Sequence, residues 1–395
     1  MGNRVDSNHP AYLLAGGMLS LIIVMGIGRF AYTPLLPLMT HNAGLSETGA
    51  GYLSSYNYIG YLLGSLAAGM LPWRRGKVFH LKLYLLANVL TTALMGVAGE
   101  FVSWSVLRFV SGFSSGLVFV FASGIVLDGL ARRGRSSWSG WLFSGVGLGI
   151  MLSGWIVPVL NGFGGWKWAW GGLGCVSMLL GSFPLLFLKE PQTACGENER
   201  IERDYQDIAG NRGMLMRLIV AYGCEGMGYI VSATFLVAIV DQIPEVSEFS
   251  ALSWVFVGLA AAPSCWLWSW TEKKYGSMQA LYAAFCAQIF GVILPVLFPN
   301  AVGVLTGAFL FGATFMGITM LTMSLVRRMF PQASSTIIGY ATAVYGAGQI
   351  IGPIVTGVLM AHTGSYDGAL VFASLTLLCG LIVLVTGHER VQAAG

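Results

Sequence analysis

The sequence is short of charge. Asp, Glu, Lys and Arg make up 10% of its 395 residues, against about a quarter in a soluble globular domain. A water-facing surface could not be covered with so few charges, so most of the apolar surface must face lipid. The net charge is only +4 and no long basic stretch is present, which excludes a nucleic-acid partner. The six cysteines (Cys175, Cys195, Cys224, Cys265, Cys286 and Cys379) form no CxxC pair and read as small apolar packing residues. There is no HExxH and no GxxxxGK[ST] motif, and the five histidines lie near the ends of apolar runs without metal-like spacing. The chain is therefore expected to be no enzyme, to bind no metal and to need no cofactor.

What it has in quantity is hydrophobic residues, 55% of the chain, and 54 glycines. A helix needs about 20 apolar residues to cross the hydrocarbon core. Such runs predict twelve spans, at 12–39, 46–71, 78–99, 103–131, 137–161, 167–188, 214–240, 249–270, 278–298, 301–326, 335–361 and 366–387. The first run lacks a small-residue cleavage site behind it and reads as a retained membrane helix. The distribution of basic residues tests the count independently. With the N-terminus inside, every one of the 21 Lys and Arg residues lies in an inner segment except Lys167, Arg29 and Arg108. Both termini are thus expected in the cytoplasm. Trp166, Trp168 and Trp170, at the outer end of span 6, read as an interfacial belt.

Residues 189–213 form the longest polar stretch and read as a cytoplasmic linker, with a short surface helix expected around Asn198–Ile208. The chain accordingly divides into a six-helix bundle at 1–188, the linker, and a second six-helix bundle at 214–395. The halves echo each other. Gly26 and Gly28 match Gly226 and Gly228, while Gly140, Gly147 and Gly149 match Gly339, Gly346 and Gly348. Small residues at such places let helix backbones approach closely.

Several of these residues resemble a known family. Arg108-x3-Gly112-x3-Gly116 in span 4 is similar to the Arg/Gly motif of the major facilitator superfamily. Gly69-x3-Trp73-Arg74-Arg75-Gly76-Lys77 resembles its cytoplasmic loop signature, with Trp73 where an Asp usually stands. Gly26-Ile-Gly-Arg29-Phe-Ala-Tyr32-Thr-Pro34-Leu-Leu-Pro37 resembles the first helix of the bacterial YbfB/YjiJ branch, and Ala221-Tyr222-Gly223-Cys224-Glu225-Gly226-x-Gly228-Tyr229 its seventh. The resemblance implies an all-α fold of two pseudo-symmetric bundles in the bacterial inner membrane. It further implies a gating loop at Arg74, Arg75, Gly76 and Lys77, a small-molecule substrate moved by alternating access, protons as coupling partner, and a monomer.

Three ionisable residues fall well inside spans: Arg29, Arg108 and Glu225. A basic side chain at mid-membrane costs about 2.5–3.5 kcal/mol on insertion scales, so such residues face a wet cavity or one another. The resemblance puts spans 1, 4 and 7 around one cavity. There two guanidiniums would offer bidentate recognition to a carboxylate, and Glu225 could compete for them or carry a proton. A structural reading stands beside this one, in which Arg29 pairs with Glu225, or Arg108 with backbone, to hold the halves in register. Tyr32, Asn57, Trp141, Tyr222, Tyr229, Tyr345 and Gln349 are candidates for lining the cavity, each also compatible with simple packing. An exporter of amphipathic compounds and a sensor that does not transport are the alternatives to a proton-coupled carrier.

Overall fold

The structure, a computed structural model, describes residues 10–71, 73, 76–135, 138–189, 204–330 and 334–386. Among these residues the regular structure is helical throughout. The first span contains α1 (Pro10–Leu21), a π-helical turn (Ile22–Ile27) and α2 (Tyr32–Asn42). It is followed by α3 (Glu47–Met70), α4 (Lys77–Leu94), α5 (Phe101–Arg132) and α6 (Ser139–Phe187). The second half holds α7 (Asp204–Asp241), α8 (Ser250–Tyr275), α9 (Ser277–Leu297), α10 (Ala301–Met329), α11 (Ser334–Thr363) and α12 (Asp367–Val385).

Nine stretches among the described residues are long and apolar enough to cross a bilayer. The α6 stretch is two spans, because its helix breaks at Gly164 and at Gly165, whose φ of +75° suits only glycine. Helices α3 and α4 complete the twelve. Gly, Ser, Tyr and Asn57 dilute the hydropathy of α3, and Lys77, His80, Lys82 and Asn88 that of α4.

Within the first half, α3 packs on α5, α4 on α5 and α6, and α1 on α5 and α6. Within the second, α7 packs on α11 and α12, α10 on α8 and α9, and α12 on α9. The halves meet where α6 lies on α8, α3 on α11, and α2 on α7. Exchanging each span with the one six later turns the α3–α11 contact into the α8–α6 contact, which is what a two-fold relation requires. The repeat seen in the sequence is visible in the packing. Gly26 lies against the backbone of Gly149, and Gly226 lies close to Gly348. At both places a Cβ would enter another backbone, so the helices touch only because the side chains are absent. Residues 200 apart also touch directly: Thr33 Oγ1 donates to the Ala233 carbonyl, and Arg29 to the Tyr229 hydroxyl. A residue meets its own repeat only near the symmetry axis, so Arg29 and Thr33 lie beside it.

Among the described residues, polar contacts between the halves are found from mid-span to the end away from the termini. Ser55 Oγ donates to the Ile350 carbonyl at 2.7 Å, Tyr58 and Thr234 share a hydrogen bond of 2.9 Å, and the Tyr366 hydroxyl donates to Glu47 Oε2 at 2.6 Å. His41 Nε2 lies 3.7 Å from Asp241 Oδ2 at the same end.

Several expectations change. The first span is not one continuous helix but breaks at residues 28–31. Pro34 has no N–H to offer the Phe30 carbonyl and its ring would crowd it, and Gly28 tolerates the bend. The three tryptophans do not form a belt. Only Trp168 is exposed, while Trp166 packs edge-on against Trp104 and buried Trp170 donates Nε1–H to the Met39 sulfur. Of the cysteines, Cys175, Cys286 and Cys379 lie on the outside of the bundles, not in packing positions.

Trp73, standing where the resemblance leads one to expect Asp, donates its indole N–H to the carbonyls of Ala67 and Ala68, both at 3.2 Å. It thereby satisfies the open end of α3 and stacks edge-on against His80 and Phe121. In the loop that follows, Gly76 adopts a φ of +84° ahead of Lys77, as Gly276 does at +92° in the second half. Arg74, Arg75 and most of the linker lie outside the described residues, as does the first part of the short helix expected around Asn198–Ile208. From Asp204 onward the chain runs straight into α7.

Candidate functional site

The break in the first span is the starting point. Around it the amides of Gly28 and Phe30 reach back five residues, to the carbonyls of Ile23 and Met25. Regular i to i−4 pairing therefore fails, and carbonyls are freed in the middle of a membrane protein, where no lipid can satisfy them. Helix α5 supplies the missing donors. Arg108 Nη1 donates to the Gly28 carbonyl at 3.0 Å and Nη2 to the Arg29 carbonyl at 3.3 Å. Ser111 Oγ donates to Gly28 O at 3.2 Å and Ser115 Oγ to Val24 O at 2.8 Å. The Tyr32 ring covers the Arg108 guanidinium at 4.7 Å, and Asn57 Nδ2 donates to the Arg108 carbonyl at 2.8 Å. Arg108, Tyr32 and Asn57 thus form one unit that holds the broken backbone.

That unit displays Arg29. Its guanidinium carbon lies 4.1 Å from the Tyr61 ring centroid, 4.8 Å from Tyr58 and 5.1 Å from Phe30. Such cation–π contacts are worth about 2 kcal/mol or more when desolvated. Its bond to the Tyr229 hydroxyl is long, 3.5 Å, and Nε has no acceptor. Among the described residues no carboxylate lies within ion-pair distance of Arg29 or Arg108. Arg29 is 2% exposed, Arg108 1% and Glu225 0%. Arg29 is therefore a buried cation softened by rings but without a counter-ion.

The second half contributes a ladder of near-parallel rings. Tyr222 stacks on Tyr345 with centroids 4.3 Å apart, Tyr345 on Tyr229 at 5.5 Å, Tyr229 on Phe315 at 5.8 Å, and Phe315 on Phe311 at 5.4 Å. Gln349 Nε2 donates to the Tyr229 hydroxyl, and the Tyr222 hydroxyl to Thr319. Phe30 closes the corner against Phe315 and Trp254.

Glu225 stands one turn from both Tyr222 and Tyr229 on α7, but its carboxylate turns to a neighbouring helix. Its Oε2 accepts from Gln288 Nε2 on α9 at 3.0 Å, while its Oε1 and the Gln288 Oε1 have no partner. The Arg29–Glu225 pair that the sequence permits is absent: among the described residues the carboxylate pairs with Gln288 instead. Trp141 is exposed and lies apart from this group. The structure therefore brings together Arg29, Tyr222, Tyr229, Tyr345 and Gln349, puts Tyr32 and Asn57 behind them on Arg108, and pairs Glu225 with Gln288 beside Tyr222 and Tyr229.

Sequence reasoning missed Tyr58, Tyr61, Phe311, Phe315 and Gln288. Tyr58 and Tyr61 carried a usable signal, since a spacing of three puts both on one helix face. Gln288, an amide amid the apolar run of α9, was another. A groove of about 460 Å³ at the far end of the first half, lined by Leu45, Ser46, Tyr52, Phe101 and Trp104 among others, carries no charged side chain and holds none of these residues.

The geometry makes Arg108 a positioning residue. Arg108→Gln leaves the buried Arg29 carbonyl without its donor and the Gly28 carbonyl with Ser111 alone. It should destabilise the protein by about 1–3 kcal/mol, the cost of one orphaned buried group, and displace Arg29. A thermal melt in detergent checks this, and a melting temperature equal to that of the parent would contradict it.

Comparison with known proteins gives a consistent picture. The family described as "Uncharacterised MFS-type transporter YbfB" matches residues 21–385. The MFS-type transporter YceJ of Bacillus subtilis is 24% identical over 93% of this chain and 94% of its own. The hexuronate transporter of the same organism is 22% identical over 92% of this chain and 91% of its own. The crystal structure of a single-site mutant of the nucleoside transporter NupG superposes with a TM-score of 0.77 over 95% of this chain and 99% of that one, at 14% identity.

Proposed function

The chain belongs to the family of YbfB-type MFS transporters, and we propose that it carries a small organic anion across the bacterial cytoplasmic membrane by alternating access, in step with a proton. It is a membrane transporter of two six-helix bundles and not an enzyme. The observation that carries the anion is Arg29. A buried guanidinium without a counter-ion, beside the axis between the two halves, is costly unless a ligand supplies the negative charge. The relative named for hexuronate, itself an organic anion, is in keeping with this. Because both halves of one chain build the site, a monomer suffices. The gathering of basic residues in the segments on the side of the termini supports a cytoplasmic location for both.

Alternating access needs one end closed while the other admits solute. The inter-half bonds at the end away from the termini support a conformation closed to the outside. Each neutral bond is worth about 0.5–1.5 kcal/mol and the Tyr366–Glu47 bond, to a carboxylate, about 1.5–3 kcal/mol, so the set is weak enough to break within a transport cycle.

Glu225 is the proton carrier in this reading. Its Oε1 and the Gln288 Oε1 are two buried acceptors without a donor. A proton on Glu225 turns one acceptor into a donor and relieves the mismatch. The test of the anion reading is a thermal melt of the purified protein with monocarboxylates and with hydrophobic ammonium ions. An anion at 100 times its Kd should add about 2.7 kcal/mol. Stabilisation by the ammonium ions instead would point to an exporter of amphipathic cations.

A further inference from the structure

We propose that the solute is an aromatic carboxylate, and this rests on the reading of Arg29 as the anion site. Three rings, those of Tyr61, Tyr58 and Phe30, lie within 5.1 Å of the Arg29 guanidinium carbon. Those rings fill its surroundings on the first half, and the edge that bears its under-used N–H groups is what remains for a ligand. That edge carries an Nε–H with no acceptor and the long Tyr229 bond. A carboxylate meets such an edge fork to fork, in the plane of the guanidinium.

The edge opens toward the ring ladder, because Tyr229, the residue it touches, is the ladder's central rung. The planes of Tyr229 and Phe315 differ by 3°, those of Tyr229 and Tyr345 by 13°, and those of Tyr222 and Tyr345 by 15°. Isolated aromatic pairs adopt both edge-to-face and offset-stacked arrangements, and a run of parallel rings presents stacking faces in one orientation. A flat conjugated solute continues that order with its carboxylate on Arg29, whereas a puckered ring cannot.

Polyhydroxy acids fit poorly. Each buried hydroxyl needs a partner, and on this wall the Tyr222 hydroxyl already reaches Thr319 at a long 3.5 Å and one Gln349 N–H reaches Tyr229. The Gln349 Oε1 is a buried acceptor without a donor on this wall. That suits one phenolic or similar hydroxyl on the solute, not a full set of sugar hydroxyls.

The experiment is calorimetric titration of the purified full-length chain at neutral pH with benzoate, cyclohexanecarboxylate and glucuronate. The first two share charge and approximate size, and differ in flatness and π-electrons. Benzoate is expected to bind at least about fivefold more tightly than either of the others, and Tyr345→Leu to reduce that preference to below about twofold. Phe315→Leu serves the same purpose where the first variant does not fold. A wild-type preference under fivefold, or glucuronate as the tightest ligand, overturns the aromatic class while leaving the anion site standing. Heat from none of the three, with the protein still melting cooperatively, overturns the anion reading and this inference with it.

Discussion

Replacing Arg29 with Met should abolish anion binding while leaving the empty protein as stable as before, or more so. Removing one partner of a buried, hydrogen-bonded charge pair costs about 2–5 kcal/mol of affinity. Dissociation constants should therefore rise by a factor of about 30 or more, beyond the range of useful transport. Stability moves the other way for a definite reason. Arg29 has no carboxylate within ion-pair distance among the described residues, so the substitution leaves no orphaned partner charge. It exchanges the desolvation cost of a buried ion for the loss of contacts with Phe30, Tyr58 and Tyr61. Those terms are of similar size, about 2 kcal/mol or more for the desolvated cation–π contacts and several for the ion. Arg29→Lys keeps the charge but loses the planar fork, and should weaken binding by about tenfold. Titration and a melt of the same samples decide the matter. Binding within threefold of the parent in Arg29→Met would remove Arg29 from the site. A large fall in melting temperature would show that Arg29 holds the halves together instead. The contrast with Arg108 sharpens the result, since Arg108 Nη1 and Nη2 donate to the carbonyls of Gly28 and Arg29.

The second large effect concerns Glu225→Gln. In proteoliposomes, uptake driven by a pH gradient should fall at least tenfold, while exchange of labelled for unlabelled solute across the same membrane stays within about twofold. Exchange needs the site to alternate but does not need a net proton. The uncharged amide keeps the size of the side chain and can still pair with Gln288, whose Nε2 now donates to Glu225 Oε2 at 3.0 Å. Because the hydrogen bond of Glu225 goes to Gln288, and neither Arg29 nor a ring of the tyrosine ladder depends on it for a partner, its effect on solute affinity should be small. Equal loss of both activities would mean that Glu225 supports the bundle of α7 and α9 and carries no proton. The sign of the pH dependence follows from the same picture. A carrier that moves anion and proton together is driven inward by an outside more acidic than the inside, and Glu225→Gln should be indifferent to that gradient.

Part of this site could be read from the residues alone. Arg29, Arg108 and Glu225 announce themselves because ions are expensive in hydrocarbon wherever they sit along a span. Tyr229, Tyr345 and Gln349 were visible as polar or aromatic groups at mid-span. Their companions Phe311 and Phe315 were not, since a Phe in an apolar run looks the same whether it faces lipid, core or solute. The division of labour between the two arginines was hidden for another reason. It depends on a break at residues 28–31, and whether Pro34 and Gly28 bend a helix or are absorbed depends on what lies alongside. Here Arg108, Ser111 and Ser115 are the neighbours that take up the freed carbonyls.

The solvent, the number of crossings and the doubling of the chain are written in one dimension, because they follow from composition, run length and spacing, each a sum over many residues. So is the set of side chains that must find a partner or a ligand. The choice of partner is a property of three dimensions. Glu225 shares a face of α7 with Tyr222 and Tyr229, yet its carboxylate goes to Gln288 on α9, and no linear pattern states which neighbouring helix a side chain reaches. Contact between residues 200 apart, as in Arg29 and Tyr229, exists because two half-chains close around an axis, and that axis appears only when both are folded against each other.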